Sequence, residues 1–379
     1  MKILSLKEWV SLMRNESSSY KQNRKKELKE QFNYWSANIE SGVIRFCERV
    51  LLGFNTSDIL AGDLGQIAHL QEVKEQVKER RLIEGPILQV PPSGEKLSPQ
   101  EATSAQFIFN IKNARVDVLT GLVVLDAGFV VDSTLAKWQK ILYRGGIGSS
   151  IKRTKRSKKK ISGSYMVLPH SPFYYHTLID EIPNLIRLRD VYPQCNNVIT
   201  HELTPSWALE LLNHFNFKVS TLGDKAVVVE NLIAISAPRA IVQKNLELLR
   251  RDINMSPDKI VVVSRKGAPR SDNDIEREIL SRVSGSILVD PSDFSVEEQV
   301  EIFSNARIII GLHGGALTNC VWMDTSGEVI EIFNHAYRTT DYERLCAELS
   351  IKYVGVETEN LSSEEVSSIV ARLINDSSE

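Results

Sequence analysis

Hydrophobic and polar residues change their period several times along this chain of 379 residues, and each change marks a region. Up to about residue 90 the pattern is helical and heavily charged. Lys21 to Glu30 (K-Q-N-R-K-K-E-L-K-E) reads as a solvated helix face. Phe32, Trp35, Ile39, Val43 and Phe46 recur three or four positions apart, the spacing of a helix that buries one side. Gln71 to Arg81 is predicted as a second mixed-charge helix. Pro91, Pro92, Ser93 and Gly94 then break the pattern. Between Phe107 and Val131 apolar residues alternate with polar ones, interrupted at Gly121 and at Asp126-Ala127-Gly128. That predicts hairpin-like strands forming a small β-element, with Asp117 and Asp126 as turn or strand-edge residues.

From Tyr165 onward short apolar runs alternate with helical periods. Tyr165–Leu168, Asn197–Thr200 and Val227–Ile235 read as strands, with helices opening near His176 and at Ser206. A cleaner series follows: strands at Lys259–Val263, Ile287–Asp290, Ile308–Ile310, Glu328–Phe333 and Tyr353–Val356. Helices are expected between them at 275–283, 296–306 and 342–349, and a last one near 362–373. Strands alternating with helices at these lengths imply βαβ units and parallel sheet. The expected class is α/β, with two Rossmann-like domains facing a cleft behind a helical N-terminal extension. The expected spans are 1–95 for the extension, 96–240 for the first Rossmann-like domain with its β-element, and 241–379 for the second.

Composition narrows the classes. A hydrophobic fraction of 42%, 25% charged residues and a net charge of −2 describe a globular protein and argue against a dedicated nucleic-acid binder. Cys47, Cys195, Cys320 and Cys346 are scattered, with no C-x-x-C pair, so neither a zinc site nor a disulfide framework is indicated. A reduced, cytoplasmic setting fits best. The opening M-K-I-L-S-L-K-E-W-V has too short an apolar run for a signal peptide, and no later run reaches membrane-spanning length. One run, Lys152–Lys160, is strongly basic; with Gly145, Gly146 and Gly148 before it, it reads first as a solvated mobile loop. The alternative is attraction to an anionic surface, such as the inner face of an acidic bilayer or a charged glycan, each basic residue near an acidic membrane being worth about 1 kcal/mol. The charged N-terminal helices are expected to pack on the remainder or on a second copy.

The candidate chemistry gathers in a few loops. Arg307 to Asn319 (R-I-I-I-G-L-H-G-G-A-L-T-N) reads as a buried strand, a glycine turn and a helix start, the arrangement that aims backbone N–H groups and a helix dipole at an anion. His313, Gly314, Gly315 and Ala316 form the turn, and the bland alternative is a tight βα turn with a surface histidine. Ser264 to Arg270 supplies Arg265, Lys266 and Arg270, and Glu331 sits in the apolar strand V-I-E-I-F, where a carboxylate is costly unless paired. Loops at the carboxyl ends of such strands converge on a ligand. Cations, a helix start and a carboxylate suit a nucleoside diphosphate, with Glu331 on the ribose. In Y-M-V-L-P-H-S-P-F-Y-Y-H-T-L-I-D-E-I-P-N-L-I-R-L, His176 and Asp180 lie four apart and share a helix face, either as a general base or as a structural pair, while Leu178, Ile182, Leu185 and Ile186 cover the buried side. There is no G-x-G-x-x-G and no P-loop, which weakens an NAD-type oxidoreductase, and no D-x-D pair is read as holding a divalent metal.

These motifs together resemble glycosyltransferase family 61. The resemblance rests on H-T-L-I-D-E-I-P-N-L from His176, V-V-V-S-R-K-G-A-P-R ending at Arg270, E-Q-V-E-I-F at Glu298–Phe303, and I-I-G-L-H-G-G-A-L-T-N followed by V-I-E-I. It spans about Phe107 to Val356 and leaves the first 90 or so residues outside. It implies a GT-B arrangement and an inverting transfer from a nucleotide sugar, usually a UDP-sugar, to a glycan hydroxyl, without cofactor or required metal. By position, Arg265, Arg270, His313, Gly314 and Gly315 would hold the diphosphate, Asn319 would fix the helix start, and Glu331 would meet the ribose. Asp180 would be the base with His176 orienting it, and Glu181 the third candidate. The implied setting is bacterial capsule-type polysaccharide synthesis; the alternative is a catalytically silent nucleotide-sugar-binding or scaffold protein. Two departures stand out: Asn273 and Glu276 match the family's Asn–Glu pair only loosely, and Gly315 replaces an alanine.

Overall fold

The computed structural model describes residues 76–84, 106–125, 130–131, 147–235, 243–266, 272–333 and 339–376. The helices expected before residue 76, Asp126 and Arg270 lie outside the described residues. Those described belong to one unit, Ile59–Glu379.

The first sheet is mixed and eight-stranded. Strand β1 (Val77–Glu84) runs antiparallel to β2 (Gln106–Asp117), which also pairs with β3 (Val123–Val124), itself paired with β4 (Val130–Val131). Residues 77–81, expected to end a helix, are therefore strand. Cross-strand pairing to β2 overrides a charged pattern whose local propensity is weak. Helix α1 (Ile147–Arg156) leads to β5 (Lys160–Val167), and α2 (Ile182–Val191) precedes β6 (Asn197–His201). Helix α3 (Ser206–His214) precedes β7 (Lys218–Leu222) and β8 (Ala226–Ile235). The order is β4-β3-β2-β8-β5-β6-β7, with β1 also on β2. Only β8, β5, β6 and β7 are parallel to one another; β2 is antiparallel to β8 along its length. The expected separate β-element is thus an integral edge of this sheet, and the first half is Rossmann-like over only part of its width.

The basic run is not a loop. Its first half ends α1 and its last residue opens β5. Arg153 donates to Asp117 through Nε (2.9 Å) and Nη2 (2.5 Å), and Lys159 pairs with Asp224 at 2.6 Å. Asp117 also accepts from the amides of Leu119 and Thr120, so it is the turn residue expected. No helix among the described residues is long and apolar enough to cross a membrane.

After α4 (Gln243–Arg250) the second half is regular. Strands β9 (Lys259–Val263), β10 (Ser286–Val289), β11 (Ala306–Leu312), β12 (Glu328–Phe333) and β13 (Lys352–Glu357) form a wholly parallel sheet in the order β10-β9-β11-β12-β13. Helices α5 (Asn273–Arg282), α6 (Val296–Ser304), α7 (Asp341–Leu349) and α8 (Ser363–Asp376) alternate with them. Caps written in the sequence start two of these. Ser295 and Glu298 form a reciprocal capping box at α6, and Asp272 accepts from the Asp274 and Ile275 amides at α5. The chain's D-x-D spacing, Asp272 and Asp274, is therefore a helix cap, with Asp274 on Arg277 at 3.0 Å. The segment after the glycine turn, Gly315–Trp322, is a 3₁₀ helix instead of the expected α-helix.

The two sheets share one apolar core. Leu178, Ile182, Leu185 and Leu211 of the first half lie in the same buried cluster as Phe303, Leu317, Trp322 and Val329 of the second, and Trp322 is wholly buried. Burying each such side chain contributes about 1.5–3 kcal/mol.

Candidate active site

In the second sheet the strand order reverses direction between β9 and β11, and ligands of doubly wound sheets bind at the carboxyl ends beside such a switch. The residues that follow these two strands are the ones singled out from sequence: Ser264–Lys266 after β9, and His313–Gly315 after β11. Gly311, paired with Val263, keeps the strands close; a Cβ there would sit 3.2 Å from the Val263 Cβ and 3.0 Å from Leu317.

Arg265 joins the two loops. Its guanidinium donates to the His313 carbonyl and lies across Gly314, where an added Cβ would fall 2.6 Å from Nε. Gly314 is therefore glycine for this close approach, since its φ of 165° is extended backbone. Gly315 has nothing within 4 Å of an added Cβ, so the family's alanine would fit there. Buried Glu276 anchors the β9 loop, accepting the Arg265 amide (3.0 Å) and the Ser264 hydroxyl (3.1 Å). Lys266 is exposed beside them, its amide donating to Ser264 Oγ at 3.2 Å.

His313 is held on several sides. Its Nδ1 bonds the Glu331 carboxylate, its ring stacks on Phe333 at 5.6 Å, and the Tyr342 ring meets it edge-on at 5.7 Å. Glu331 is wholly buried, and its second oxygen accepts from the Tyr353 hydroxyl at 2.6 Å. Both Glu331 oxygens are paired to protein side chains, and that pairing offsets the desolvation of a buried carboxylate. Burial and the Glu331 charge hold the Tyr353 phenol well above its usual range, so it keeps the proton that it donates.

The 3₁₀ segment is anchored from both halves. Asn319 Oδ1 accepts from Tyr174 (3.0 Å) and Trp322 (3.1 Å), while its Nδ2 donates to the Ala316 carbonyl and to Gln299, each at 3.2 Å. The Tyr342 hydroxyl donates to the Gly314 carbonyl at 2.7 Å. The first turn leaves the amides near Gly315 and Ala316 without intrahelical partners, as any helix start does.

On the facing side, His176–Glu181 is a single π-helical turn running into α2, with Pro183 in that helix's first turn. Such turns recur at functional sites. His176 Nδ1 lies 2.8 Å from Asp180 Oδ2. Leu178, Ile182, Leu185 and Ile186 are buried behind them, as the spacing predicts. Burial raises the Asp180 carboxyl above its ordinary range and Asp341, at the start of α7, adds to this, while His176 opposes it. Glu181 faces elsewhere. It lines a small cavity of about 40 Å³ with Pro169, Asn184 and Leu232, and burial, reinforced by Asp180, pushes its pKa up to about 8.

Aromatic contacts connect the two sides. The Tyr175 ring meets His176 at 5.4 Å and Tyr342 at 5.8 Å, and Tyr342 reaches His313. The structure therefore brings His176 and Asp180 into one region with Arg265, His313, Gly314 and Asn319. Sequence reasoning missed Tyr174, Tyr175 and Tyr342, and gave Glu276 and Gln299 no role. The F-Y-Y run directly before His176 was the available signal. Among the described residues, no three His, Cys, Asp or Glu side chains converge as a metal site would.

Residues 174–330 match the model of the family described as glycosyltransferase 61. No curated protein matches the chain by sequence. Among solved structures, the crystal structure of a diflavin flavoprotein A3 from Nostoc sp. is 12% identical, covering 33% of this chain and 97% of its own, at a TM-score of 0.25. A likeness at that score carries no argument. The family match begins at Tyr174, just before the π-turn, and ends in β12 one residue before Glu331, enclosing His176, Asp180, Arg265 and His313. Residues 174–330 thus match a glycosyltransferase family 61 domain, and such a domain supports glycosyltransferase activity.

Proposed function

We propose that the enzyme transfers a sugar, with inversion, from a nucleotide sugar of the UDP type to a hydroxyl of a glycan acceptor, in the assembly of a bacterial surface polysaccharide. The observation that carries the donor site is Arg265 lying across Gly314 and bonded to the His313 carbonyl, at the strand-order switch of a parallel sheet. Arg265, His313 and the amides that open the 3₁₀ turn would take the charge of the leaving diphosphate in place of a divalent metal, with Lys266 contributing beside Arg265; Arg270, given this role from the sequence, lies outside the described residues. Losing one such donor costs about 3–4 kcal/mol of transition-state stabilisation. A GT-B reading places the donor on the second sheet and the acceptor on the first.

Asp180 acts as the base. It takes the acceptor hydroxyl's proton as that oxygen bonds the anomeric carbon and the bond to the diphosphate breaks on the opposite face. A carboxyl raised toward neutrality is a stronger base than an exposed one. His176 orients it through the 2.8 Å contact. Glu181, turned into its own cavity, is the weaker candidate.

Thermal shift against a panel of nucleotide sugars identifies the donor, since ligand raises apparent stability with its affinity. Asp180→Asn is expected to abolish turnover while leaving UDP binding nearly intact. Wild-type turnover by that variant would remove Asp180 from the mechanism. Release of UDP from the donor without acceptor separates a transferase from a silent nucleotide-sugar binder, which releases none.

A further inference from the structure

The three aromatic residues before His176 have different fates. Tyr174 donates its hydroxyl to Asn319, and Tyr175 packs between His176 and Tyr342. Phe173, outermost of the three, is 44% exposed. Single exposed apolar side chains are common on protein surfaces and by themselves mean little. What marks Phe173 is its neighbour: it stands beside the His176–Asp180 pair.

Its backbone is pinned at both polar groups. The Phe173 amide donates to the hydroxyl of buried Ser171 at 3.1 Å, and its carbonyl accepts from Ser171 Oγ (3.3 Å) and from the Thr177 amide (3.1 Å). The ring stands 5.9 Å from the His176 ring, nearly perpendicular to it. It follows β5, at the carboxyl end of the parallel part of the first sheet, on the side where ligands of such sheets lie. A solvent-facing aromatic on a hydrogen-bonded backbone, beside a hydrogen-bonded His–carboxylate pair, offers an apolar face and adjacent polar groups together. That combination suits a pyranose ring, which presents C–H groups on one face and hydroxyls at its rim.

We infer that Phe173 is the platform on which the acceptor's terminal sugar lies, setting one of its hydroxyls toward His176 and Asp180. This rests on the transferase reading above and adds the class of acceptor group, a pyranose with an exposed apolar face. An aromatic of any kind serves as a platform, so Phe173→Trp keeps the function and Phe173→Ala loses it.

The experiment is saturation-transfer NMR with methyl β-glucoside, methyl β-galactoside, methyl β-xyloside and methyl β-N-acetylglucosaminide as probes, in the presence of UDP. Transfer to sugar ring protons is expected in the wild type and in Phe173→Trp. It is expected to fall about tenfold in Phe173→Ala, with the melting temperature of each variant confirming that it is folded. Once a donor is found, acceptor KM is expected to rise about tenfold in Phe173→Ala with kcat nearly unchanged. The inference is overturned by equal transfer in Phe173→Ala, by no ring-proton transfer from any probe in the wild type, or by transfer confined to the O-methyl group, which would mark an apolar aglycone contact. Sugar binding that depends on Phe173 in a protein that never releases UDP from a donor would keep the platform and reject the transferase.

Discussion

At the residue scale, Glu331 shows what its sequence position demands. Its place in an apolar strand identifies it as a carboxylate needing partners, and two side chains supply them. With Tyr353 on one oxygen and His313 on the other, it fixes which ring nitrogen of His313 is turned inward. Glu331→Gln is expected to loosen the imidazole and weaken UDP binding about tenfold, near 1.4 kcal/mol, measured by calorimetry beside imidazole ¹⁵N shifts. Glu181 makes a different statement. Because burial lifts its pKa to about 8, the folded chain keeps a proton that the unfolded chain releases near 4.5. The folded state then binds more protons, so stability falls as pH rises from about 4.5 to about 8. Asp180, raised as well, acts with the same sign. Denaturation series at pH 5 and pH 8 are expected to show a smaller loss in Glu181→Gln than in the wild type, and an identical loss would place the titration elsewhere.

At the scale of elements, the second half was legible and the first only partly so. Short apolar runs spaced by amphipathic helices leave one reading for β9, β11 and β12, because a fully buried parallel strand must be apolar on both faces. The N-terminal strands were opaque for the converse reason: β1 owes its form to pairing with β2, a partner more than 20 residues away. The 3₁₀ turn was likewise hidden, being anchored in part by Tyr174, Gln299 and Tyr342, which are distant in sequence. The glycine turn was legible, and its two glycines are not equivalent. Gly314→Ala is expected to push Arg265 off the His313 carbonyl and weaken UDP binding by one to two orders of magnitude, with little change in melting temperature. Gly315→Ala, entering open space, is expected to bind as the wild type does. Titration of both variants with UDP decides the point, and equal behaviour would remove Arg265 from the site.

At the scale of the molecule, the shared core makes the two sheets one folding unit. Trp322 is enclosed by residues of both and is tied to Asn319. Trp322→Ala is expected to cost about 3–5 kcal/mol. It is also expected to unfold in a single step, with fluorescence and circular dichroism coincident. Two separated transitions would show the halves to be independent.

The bond from Tyr174 to Asn319 carries that joining to the floor of the site. On the transfer proposed above, halves joined at that point would hold the attacking oxygen and the departing diphosphate at a spacing set when the chain folds, before either substrate arrives.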